Sequence, residues 1–506
     1  MIARLLKFPL ILVLAGLAAL AMFLPALHAV MLDDHSVAQA FFYSGALGLT
    51  FVGITGLAMI GQQTEGATDI QHLGALFLGY TALPLFLALP FYEGLETTRY
   101  INAYFEMVSS LTTTGATLFD RPGRIPEPLH LWRGMVGWFG GLMIWVAASA
   151  ILAPLNLGGF EVTASAEPGQ EDTGFQRFER ASATKRLQQA IVTLAPIYLG
   201  LTALLCLFLM INGERAFVAL IHAMSTMATS GISPIGGVQH GAAGYGGEIV
   251  LFLFMLFALS RLTFSTDTLT TGRHRLRDDP EFRLGLMLVI GVPLLLFSRH
   301  FVGAFDVDEM ENIGQAAGAL WGGMFTVLSF LSTTGFESVA WEAARGWSGL
   351  GTPGLILLGL ALVGGGVATT AGGVKLLRVY ALYLNGRREM ERLVHPSSVG
   401  RASAGSRRLR RQGAFVAWIF FMLFALSLAG VTVLMSAFGQ SFQNAIILAI
   451  AALSTTGPLT QIAAEVPIDL LSMEPLAKLV LCAAMVLGRL ETLAIIALAN
   501  PALWRD

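Results

Sequence analysis

Long apolar runs alternate with shorter ones along most of this chain. A helix needs about 20 apolar residues to cross a membrane, because each residue advances it by about 1.5 Å. Ten runs reach this length and are predicted to span a membrane. They are 8–30, 38–60, 73–92, 129–152, 190–210, 248–269, 282–301, 354–384, 415–438 and 470–498.

Four further apolar runs are too short to cross, and we predict that they form re-entrant half-helices. They are 98–112, 216–228, 315–331 and 442–453. Each one ends in a short polar string, named here strings 1 to 4. The strings read TTTGAT (112–117), ATSGIS (228–233), LSTTGFE (331–337) and LSTTGPL (453–459).

The four strings share one pattern, in which Thr stands two residues before a glycine and Thr or Ser stands directly before it. The residues are Thr113, Thr114 and Gly115; Thr229, Ser230 and Gly231; Thr333, Thr334 and Gly335; and Thr455, Thr456 and Gly457. Successive glycines are 104 to 122 residues apart. Near-regular recurrence indicates four copies of one unit, which here is a span, a half-helix and a second span.

The predicted organisation is a two-helix hairpin at 1–68 followed by pore repeats at 69–160, 161–278, 279–400 and 401–506. The first apolar run could instead be a cleaved signal peptide, since it follows Arg4 and Lys7 and carries small residues near its end. A second spanning run follows at once, so a retained hairpin is favoured.

Composition agrees with this pattern. The chain is 55% hydrophobic and only 13% charged, with a mean hydropathy of +0.68, which excludes an ordinary soluble protein. The predicted fold class is therefore an all-α polytopic membrane protein. The two cysteines, Cys206 and Cys482, lie inside apolar runs and support neither a disulfide framework nor a metal site.

Charge placement predicts the orientation. Arginines and lysines concentrate in the links that precede repeats 2, 3 and 4, including eight arginines between 387 and 411. Basic loops stay on the cytoplasmic side, whereas the segments beside half-helices 3 and 4 carry acidic residues. All four strings are thus expected to enter from the outer face. Four parallel repeats around an axis along the membrane normal follow, which disfavours an inverted-repeat transporter.

Four such strings meeting at one axis could replace the water around a dehydrated cation with backbone carbonyls. Glycine suits this task because it reaches positive φ without steric cost. The half-helices would point their negative C-terminal ends at the cavity and favour a cation. At any single site a Thr-Gly pair could be an ordinary helix C-cap, but four matched sites favour the filter.

A family resemblance rests on the four strings, on GGGVATTAGGVK (364–375) and on MVLGRLE (485–491). Together they resemble the Trk/Ktr/HKT superfamily of cation-translocating subunits, and the extra hairpin is most similar to the TrkH branch. Because the first filter glycine is present as Gly115, the resemblance implies potassium selectivity. It places K⁺ at Thr113, Gly115, Thr229, Gly231, Thr333, Gly335, Thr455 and Gly457.

The resemblance also implies that 364–375 is an intramembrane loop below the filter that obstructs the pore. Its expected gating residues are Gly364, Gly365, Gly366, Thr369, Thr370, Gly372, Gly373 and Lys375, with Lys375 at the cytoplasmic margin. Five glycines in ten residues should break a helix, although close helix packing through small residues is an alternative.

Two arginines lie deep in apolar runs. The resemblance makes Arg489 a pore-facing charge below the filter that tunes flux, while a structural pairing remains the alternative. The role of Arg261 stays open between a pore function and pairing or snorkelling.

The resemblance implies a homodimer in a bacterial inner membrane that docks cytoplasmic nucleotide-binding (RCK) subunits of the TrkA type. The arginine-rich link could by itself serve as a topology signal and contact membrane lipids. No P-loop occurs, since GGGVATTAGG lacks the Lys-Ser/Thr ending. We therefore predict K⁺ as the transported ion, no organic cofactor in this chain and no nucleic acid partner.

The leading prediction is potassium uptake. A sodium-permeable or proton-coupled symporter of the same fold is the alternative, and a membrane-embedded enzyme is a remote one. Proton coupling would require acidic residues deep in the pore; the nearest, Glu106 and Glu337, are expected at the outer vestibule. The histidines His222, His240 and His274 show no metal-ligand spacing.

Overall fold

The computed structural model describes residues 8–60, 68–155, 157–160, 182–260, 276, 279–303, 313–349, 354–395 and 411–499. Helices and connecting loops make up this part of the chain, and it contains no strand. The all-α membrane fold predicted from the sequence is confirmed.

The hairpin and repeat 1 occupy the N-terminal third. The hairpin consists of Leu10–Ala21 continued by Phe23–Met31, and His35–Ala58. Repeat 1 consists of Asp69–Thr81 continued by Leu83–Gly94, the half-helix Tyr100–Leu111, and Glu127–Ala147 continued by a π-helical turn at Ala148–Leu152. The half-helix is 12 residues long, or about 18 Å, and too short to cross a bilayer.

Repeats 2 and 3 follow the same order. Repeat 2 consists of Ala183–Ile211, the half-helix Ala216–Ala228, and Gly244–Met255 continued by the 3₁₀ turn Leu256–Leu259. Repeat 3 consists of Pro280–Gly303, the half-helix Ile313–Leu331, the short helix Trp341–Ser348, and two helices, Gly354–Val363 and Leu376–Val394. Half-helix 3 has 19 residues and is longer than the other three.

Repeat 4 consists of Arg411–Ala437, the half-helix Phe442–Leu453, a single turn at Leu459–Ile462, and the helices Pro475–Leu490 and Thr492–Ala499. The last two helices meet at an angle of 94°. The sequence predicted a span over 470–498, and the structure breaks its helix at Glu491, where φ is +68°.

Seven helices in the described residues are long and apolar enough to cross a membrane, and the bent pair in repeat 4 would make an eighth. The predicted span 354–384 is interrupted between Val363 and Leu376, as its glycines led us to expect. The predicted span 248–269 is described only as far as residue 260.

The four repeats close into a circle. The span that follows half-helix 1 packs against half-helix 2, and Gly244–Met255 packs against half-helix 3. Gly354–Val363 then packs against half-helix 4, and Pro475–Leu490 packs back against half-helix 1. In each case the last span of one repeat packs against the half-helix of the next repeat. The four strings therefore face one central axis.

Candidate ion pathway

Each half-helix ends in the same unusual backbone conformation. Thr113, Thr229, Thr333 and Thr455 have φ values of +55°, +51°, +59° and +53°. A β-branched residue rarely adopts left-handed backbone, which costs about 1–3 kcal/mol. The same strain at four equivalent positions indicates that the surrounding fold imposes it.

The glycines behave less uniformly than the sequence suggested. Gly115, Gly231 and Gly335 have φ values of +71°, +67° and +83°. Gly457 has no positive φ, because the following Pro458 favours extended backbone in the residue before it. The expectation that all four glycines use positive φ is therefore wrong for string 4.

The four strings touch one another in order. A Cβ built on Gly115 would lie 1.7 Å from the Ser230 carbonyl oxygen, and one on Gly231 would lie 2.3 Å from that of Thr334. A Cβ on Gly335 would lie 2.7 Å from Cγ of Pro458. The circle closes where a Cβ on Gly457 would lie 2.0 Å from the amide nitrogen of Ala116. Only glycine fits at these four contacts.

The string amides donate hydrogen bonds back to their half-helices. Thr114 and Gly115 donate to the Ser109 carbonyl at 2.8 and 3.2 Å, and Thr334 and Gly335 donate to that of Ser329 at 2.8 and 3.1 Å. Gly457 differs, since its amide donates to the Thr114 carbonyl at 2.6 Å and links string 4 to string 1. These hydrogen bonds fix strings 1 and 3 to the ends of their own half-helices.

A cavity of about 940 Å³ opens on one side of the ring. All four string glycines line it, together with Asp120, Glu337, Glu465, Arg133 and Arg345 among others. We call this cavity the vestibule. The prediction that Glu337 lies at a vestibule fits its position here.

Burial raises the pKa of Glu337 to about 7, with a further rise from Glu342 and an opposing effect of Arg345. Burial and the neighbouring Asp469 also raise the pKa of Asp120. Glu337 accepts a long hydrogen bond from Nε2 of Gln239 at 3.5 Å. The vestibule therefore holds a carboxyl group that titrates near neutral pH.

Glu106 does not line the vestibule, which corrects the sequence prediction. It is fully buried behind string 1, where its Oε1 accepts hydrogen bonds from Leu118 N at 2.6 Å and Thr117 Oγ1 at 2.9 Å. Its Oε2 lies 2.9 Å from Nε of the buried Arg133. The pairing leaves neither Glu106 nor Arg133 without a partner in the interior.

Glu248 has a similar position behind string 3, although it belongs to repeat 2. Its carboxylate accepts hydrogen bonds from Ser338 Oγ and Trp321 Nε1, both at 2.8 Å, and from the Val339 amide at 2.5 Å. Sequence reasoning assigned no role to this residue. Its signal was a lone carboxylate at the start of an apolar run.

The interruption in repeat 3, named here the broken segment (residues 364–375), lies on the opposite side of the ring from the vestibule. Gly364, Ala368, Gly373 and Lys375 have positive φ, so the segment turns back on itself. Its ends are tied by hydrogen bonds from Val374 N to Leu362 O and from Lys375 N to Val363 O, both at 2.9 Å.

The broken segment contacts strings 3 and 4 directly. The Gly372 amide donates to Thr333 Oγ1 at 2.8 Å. A Cβ built on Gly372 would lie 2.1 Å from the Ser454 carbonyl oxygen and 2.3 Å from Thr455 Oγ1. The predicted gating residues thus lie next to the predicted filter residues.

Other loop side chains bond within or beside the segment. Thr369 Oγ1 donates to Gly366 O at 2.8 Å, and Thr370 Oγ1 donates to Met227 O at 3.2 Å at the end of half-helix 2. Lys375, expected at a cytoplasmic margin, is buried, and its Nζ donates to the Ala371 carbonyl.

Arg489 reaches the broken segment from the last span. Its Nη1 donates to the Thr370 carbonyl at 2.7 Å, and the side chain is buried. Two residues later, Oε2 of Glu491 accepts a hydrogen bond from Nη2 of the fully buried Arg378 at 2.6 Å. Arg378 also lies 3.7 Å from the ring centroid of Phe420.

Sequence reasoning found the strings, the broken segment and Arg489, and the structure brings these together. Sequence reasoning missed the Arg378–Glu491 pair, whose signal was two opposite charges inside separate apolar runs. Arg261, His274 and the basic residues of the link 396–410 lie outside the described residues.

Comparisons with known proteins agree with this architecture. A family model described as "TrkH: Cation transport protein" matches residues 85–237 and 251–505. The chain is 32% identical over 443 residues to the Trk system potassium uptake protein TrkH of Escherichia coli, with 85% of each chain covered. It is 32% identical over 475 residues to the protein of the same name in Halomonas elongata, with 91% of each covered.

A solved structure is also similar. The crystal structure of the potassium transporter TrkH from Vibrio parahaemolyticus superposes with a TM-score of 0.82 at 25% identity, covering 99% of this chain and 100% of the other. The match extends over the hairpin and all four repeats. Family, sequence and structure therefore agree, and the chain belongs to the TrkH family of cation transport proteins and is a multi-pass membrane transport protein, not an enzyme.

Proposed function

We propose that this chain takes up potassium across a bacterial inner membrane through the ring of four strings. The observation that carries the proposal is the closed contact of the strings in chain order, with Gly115 against string 2 and Gly457 against string 1. The relatives are named as potassium uptake proteins, which supports K⁺ as the transported ion.

The ring supplies the chemistry that a dehydrated cation needs. Backbone carbonyls of the strings replace its hydration shell, and the C-terminal ends of four half-helices contribute negative potential. The hydroxyls of Thr113 and Thr455 are buried without a hydrogen-bond partner in the described part of the chain. These oxygens are suited to an ion at the inner end of the ring.

The broken segment acts as the gate in this proposal. It lies against strings 3 and 4 through Gly372 and is held from below by Arg489 at Thr370. The guanidinium places a positive charge beside the pathway, which lowers cation occupancy there. Release of the segment would break the contact between Arg489 and Thr370 and widen the pathway.

The proposed orientation has the vestibule outside and the basic links in the cytoplasm. The helix Leu376–Val394 continues directly from the broken segment, and its last ten residues are exposed. A cytoplasmic ring of TrkA-type nucleotide-binding subunits could act on the gate through this helix. We also propose a homodimer and contacts of the arginine-rich link with anionic lipids.

The test is uptake of ⁸⁶Rb⁺, ²²Na⁺ and Li⁺ into proteoliposomes that contain the full chain. A potassium pathway predicts rapid Rb⁺ uptake, its competition by K⁺, and slow Na⁺ and Li⁺ uptake. Equal permeation of Na⁺ and K⁺ would refute potassium selectivity. Uptake that requires an imposed pH gradient would instead favour the proton-coupled symporter.

A further inference from the structure

One position behind the ring is equivalent in all four repeats but carries different chemistry in each. Nine residues before the string glycine stand Glu106, His222, Thr326 and Leu448. Each lies in its half-helix and is buried. We call this the brace position.

In repeats 1 to 3 the brace side chain contacts the chain just after the string glycine. Glu106 accepts hydrogen bonds from Thr117 Oγ1 and the Leu118 amide, two and three residues after Gly115. His222 Nε2 is 2.9 Å from Ser233 Oγ, two residues after Gly231.

Thr326 completes this set. Its Oγ1 accepts a hydrogen bond at 3.3 Å from the Ser338 amide, three residues after Gly335. A carboxylate, an imidazole and a hydroxyl thus occupy one structural position. Each spans from the half-helix to the segment that leaves its string on the vestibule side.

Repeat 4 lacks a polar brace, because Leu448 has no hydrogen-bonding side chain. Its string is instead stabilised by the turn that follows Pro458. The Thr460 amide and hydroxyl both donate to the Gly457 carbonyl, at 3.0 and 2.8 Å. The Gly457 carbonyl therefore accepts both of its hydrogen bonds from within this local turn.

We propose that the brace residues Glu106, His222 and Thr326 are positioning residues that set the cation selectivity of strings 1 to 3. This inference rests on the proposed function of the strings as a filter. A brace fixes both ends of a string, since the half-helix holds its beginning and the brace holds its exit. The spacing of the carbonyls around the ion is then set by the fold and does not adapt to the ion.

A physical consequence distinguishes a brace from a simple packing residue. When a brace bond is lost, the string gains freedom and its carbonyls can close around the smaller Na⁺ ion. Discrimination falls while the pathway stays intact. The loss of one neutral hydrogen bond corresponds to about a two- to tenfold change in an equilibrium.

The experiment compares Thr326→Val with Thr326→Ser. Valine keeps the branched shape and removes the acceptor for the Ser338 amide, whereas serine keeps the acceptor. Thr432→Val serves as a control, because Thr432 is also buried in a membrane helix but bonds only within it, to Leu428 O at 2.8 Å. The readout is the ratio of ⁸⁶Rb⁺ to ²²Na⁺ uptake in proteoliposomes, with melting of each purified variant measured in parallel.

We expect the ratio to fall about two- to tenfold in Thr326→Val and to stay at the wild-type value in Thr326→Ser and Thr432→Val. An unchanged ratio in a folded Thr326→Val protein would overturn the proposal. If that variant does not fold, His222→Phe carries the same test in repeat 2. It keeps an aromatic ring in the half-helix but loses the hydrogen bond to Ser233 Oγ, so the ratio should again fall.

The same assay distinguishes a failure of the brace proposal from a failure of the proposed filter. Gly335→Ser changes the string directly, so a normal ratio in that variant would remove string 3 from the filter. A changed ratio in Gly335→Ser together with a normal ratio in Thr326→Val would leave the filter standing and refute the brace.

Discussion

The backbone amide of Gly372 donates a hydrogen bond to the hydroxyl of Thr333 at 2.8 Å. This single contact joins string 3 to the broken segment of the same repeat, across 39 residues of sequence. Thr333 also has a left-handed backbone, with φ of +59°, and its side chain is fully buried. Under the proposed function, this contact links the filter directly to the gate.

Thr333→Val should loosen the broken segment. Valine has the same branching and the same backbone strain but cannot accept the Gly372 amide, so one stabilising bond of the closed segment is lost. We expect Rb⁺ uptake by the chain without regulatory subunits to rise about two- to tenfold. Tracer uptake in proteoliposomes measures this directly.

Thr333→Ser is the matched control, since it retains the hydroxyl and should keep the wild-type rate. A rate in Thr333→Val that equals the wild-type rate would show that this bond does not hold the segment.

Removal of residues 365–371 should open the pathway. The ends of the deletion already lie together, because a Cβ on Gly364 would be 2.1 Å from the Gly372 carbonyl oxygen and 2.8 Å from Gly373 Cα. A direct peptide link therefore has only a short gap to close between Gly364 and Gly372. K⁺ flux should rise, while the ratio of Rb⁺ to Na⁺ uptake should change little because the strings are intact. An unchanged flux would argue against an obstructing role.

Gly335→Ser should reduce selectivity. Its φ of +83° is unfavourable for any side chain, and the new Cβ would lie 2.7 Å from Pro458 Cγ in string 4. The strain of about 1–3 kcal/mol must be relieved by movement of string 3 or string 4. We expect the K⁺ to Na⁺ permeability ratio to fall about tenfold. Gly359→Ser is the control, since a Cβ there meets no atom within 4 Å.

External pH should modulate uptake through Glu337. Its pKa of about 7 means that the carboxyl is mostly neutral at pH 6 and mostly ionised at pH 8. The ionised form adds a negative charge to the vestibule and concentrates cations there. At subsaturating K⁺, Rb⁺ uptake should therefore rise about two- to threefold from pH 6 to pH 8.

Glu337→Gln should abolish most of this rise and keep uptake near its low-pH level. Glu342→Gln should retain the rise but shift it to lower pH, because the variant removes a neighbouring negative charge that raises the pKa of Glu337. Persistence of the full pH dependence in Glu337→Gln would assign it to another group, such as Asp120.

The local elements were predictable because their causes are local. Run lengths separate spans from half-helices, since a backbone in lipid must satisfy its own hydrogen bonds over a fixed thickness. The glycines at 364–373 predicted a break because glycine destabilises a helix interior, and the structure places one there. The kink at Glu491 was not predictable in this way, because a single glycine, Gly488, stands near it and the apolar run continues beyond it.

The sequence also did not predict the contacts that the buried charges make. Glu106 stands near a string in the chain and was expected in the vestibule, but Arg133 and the Leu118 amide hold it behind the string. Whether a carboxylate faces water or a partner depends on side chains contributed by other helices. Repeat spacing alone does not contain that information.

The sequence by itself determined that four equivalent units exist, each with a half-helix ending in Thr, Thr or Ser, and Gly. Only the tertiary structure decided that the strings meet in chain order, that Gly457 avoids positive φ and contacts Ala116, and that Gly372 lies against Thr333 and string 4. The physical reason is one of range. Helix length and turn chemistry depend on neighbours along the chain, whereas a ring closes only through contacts between residues that lie up to several hundred positions apart.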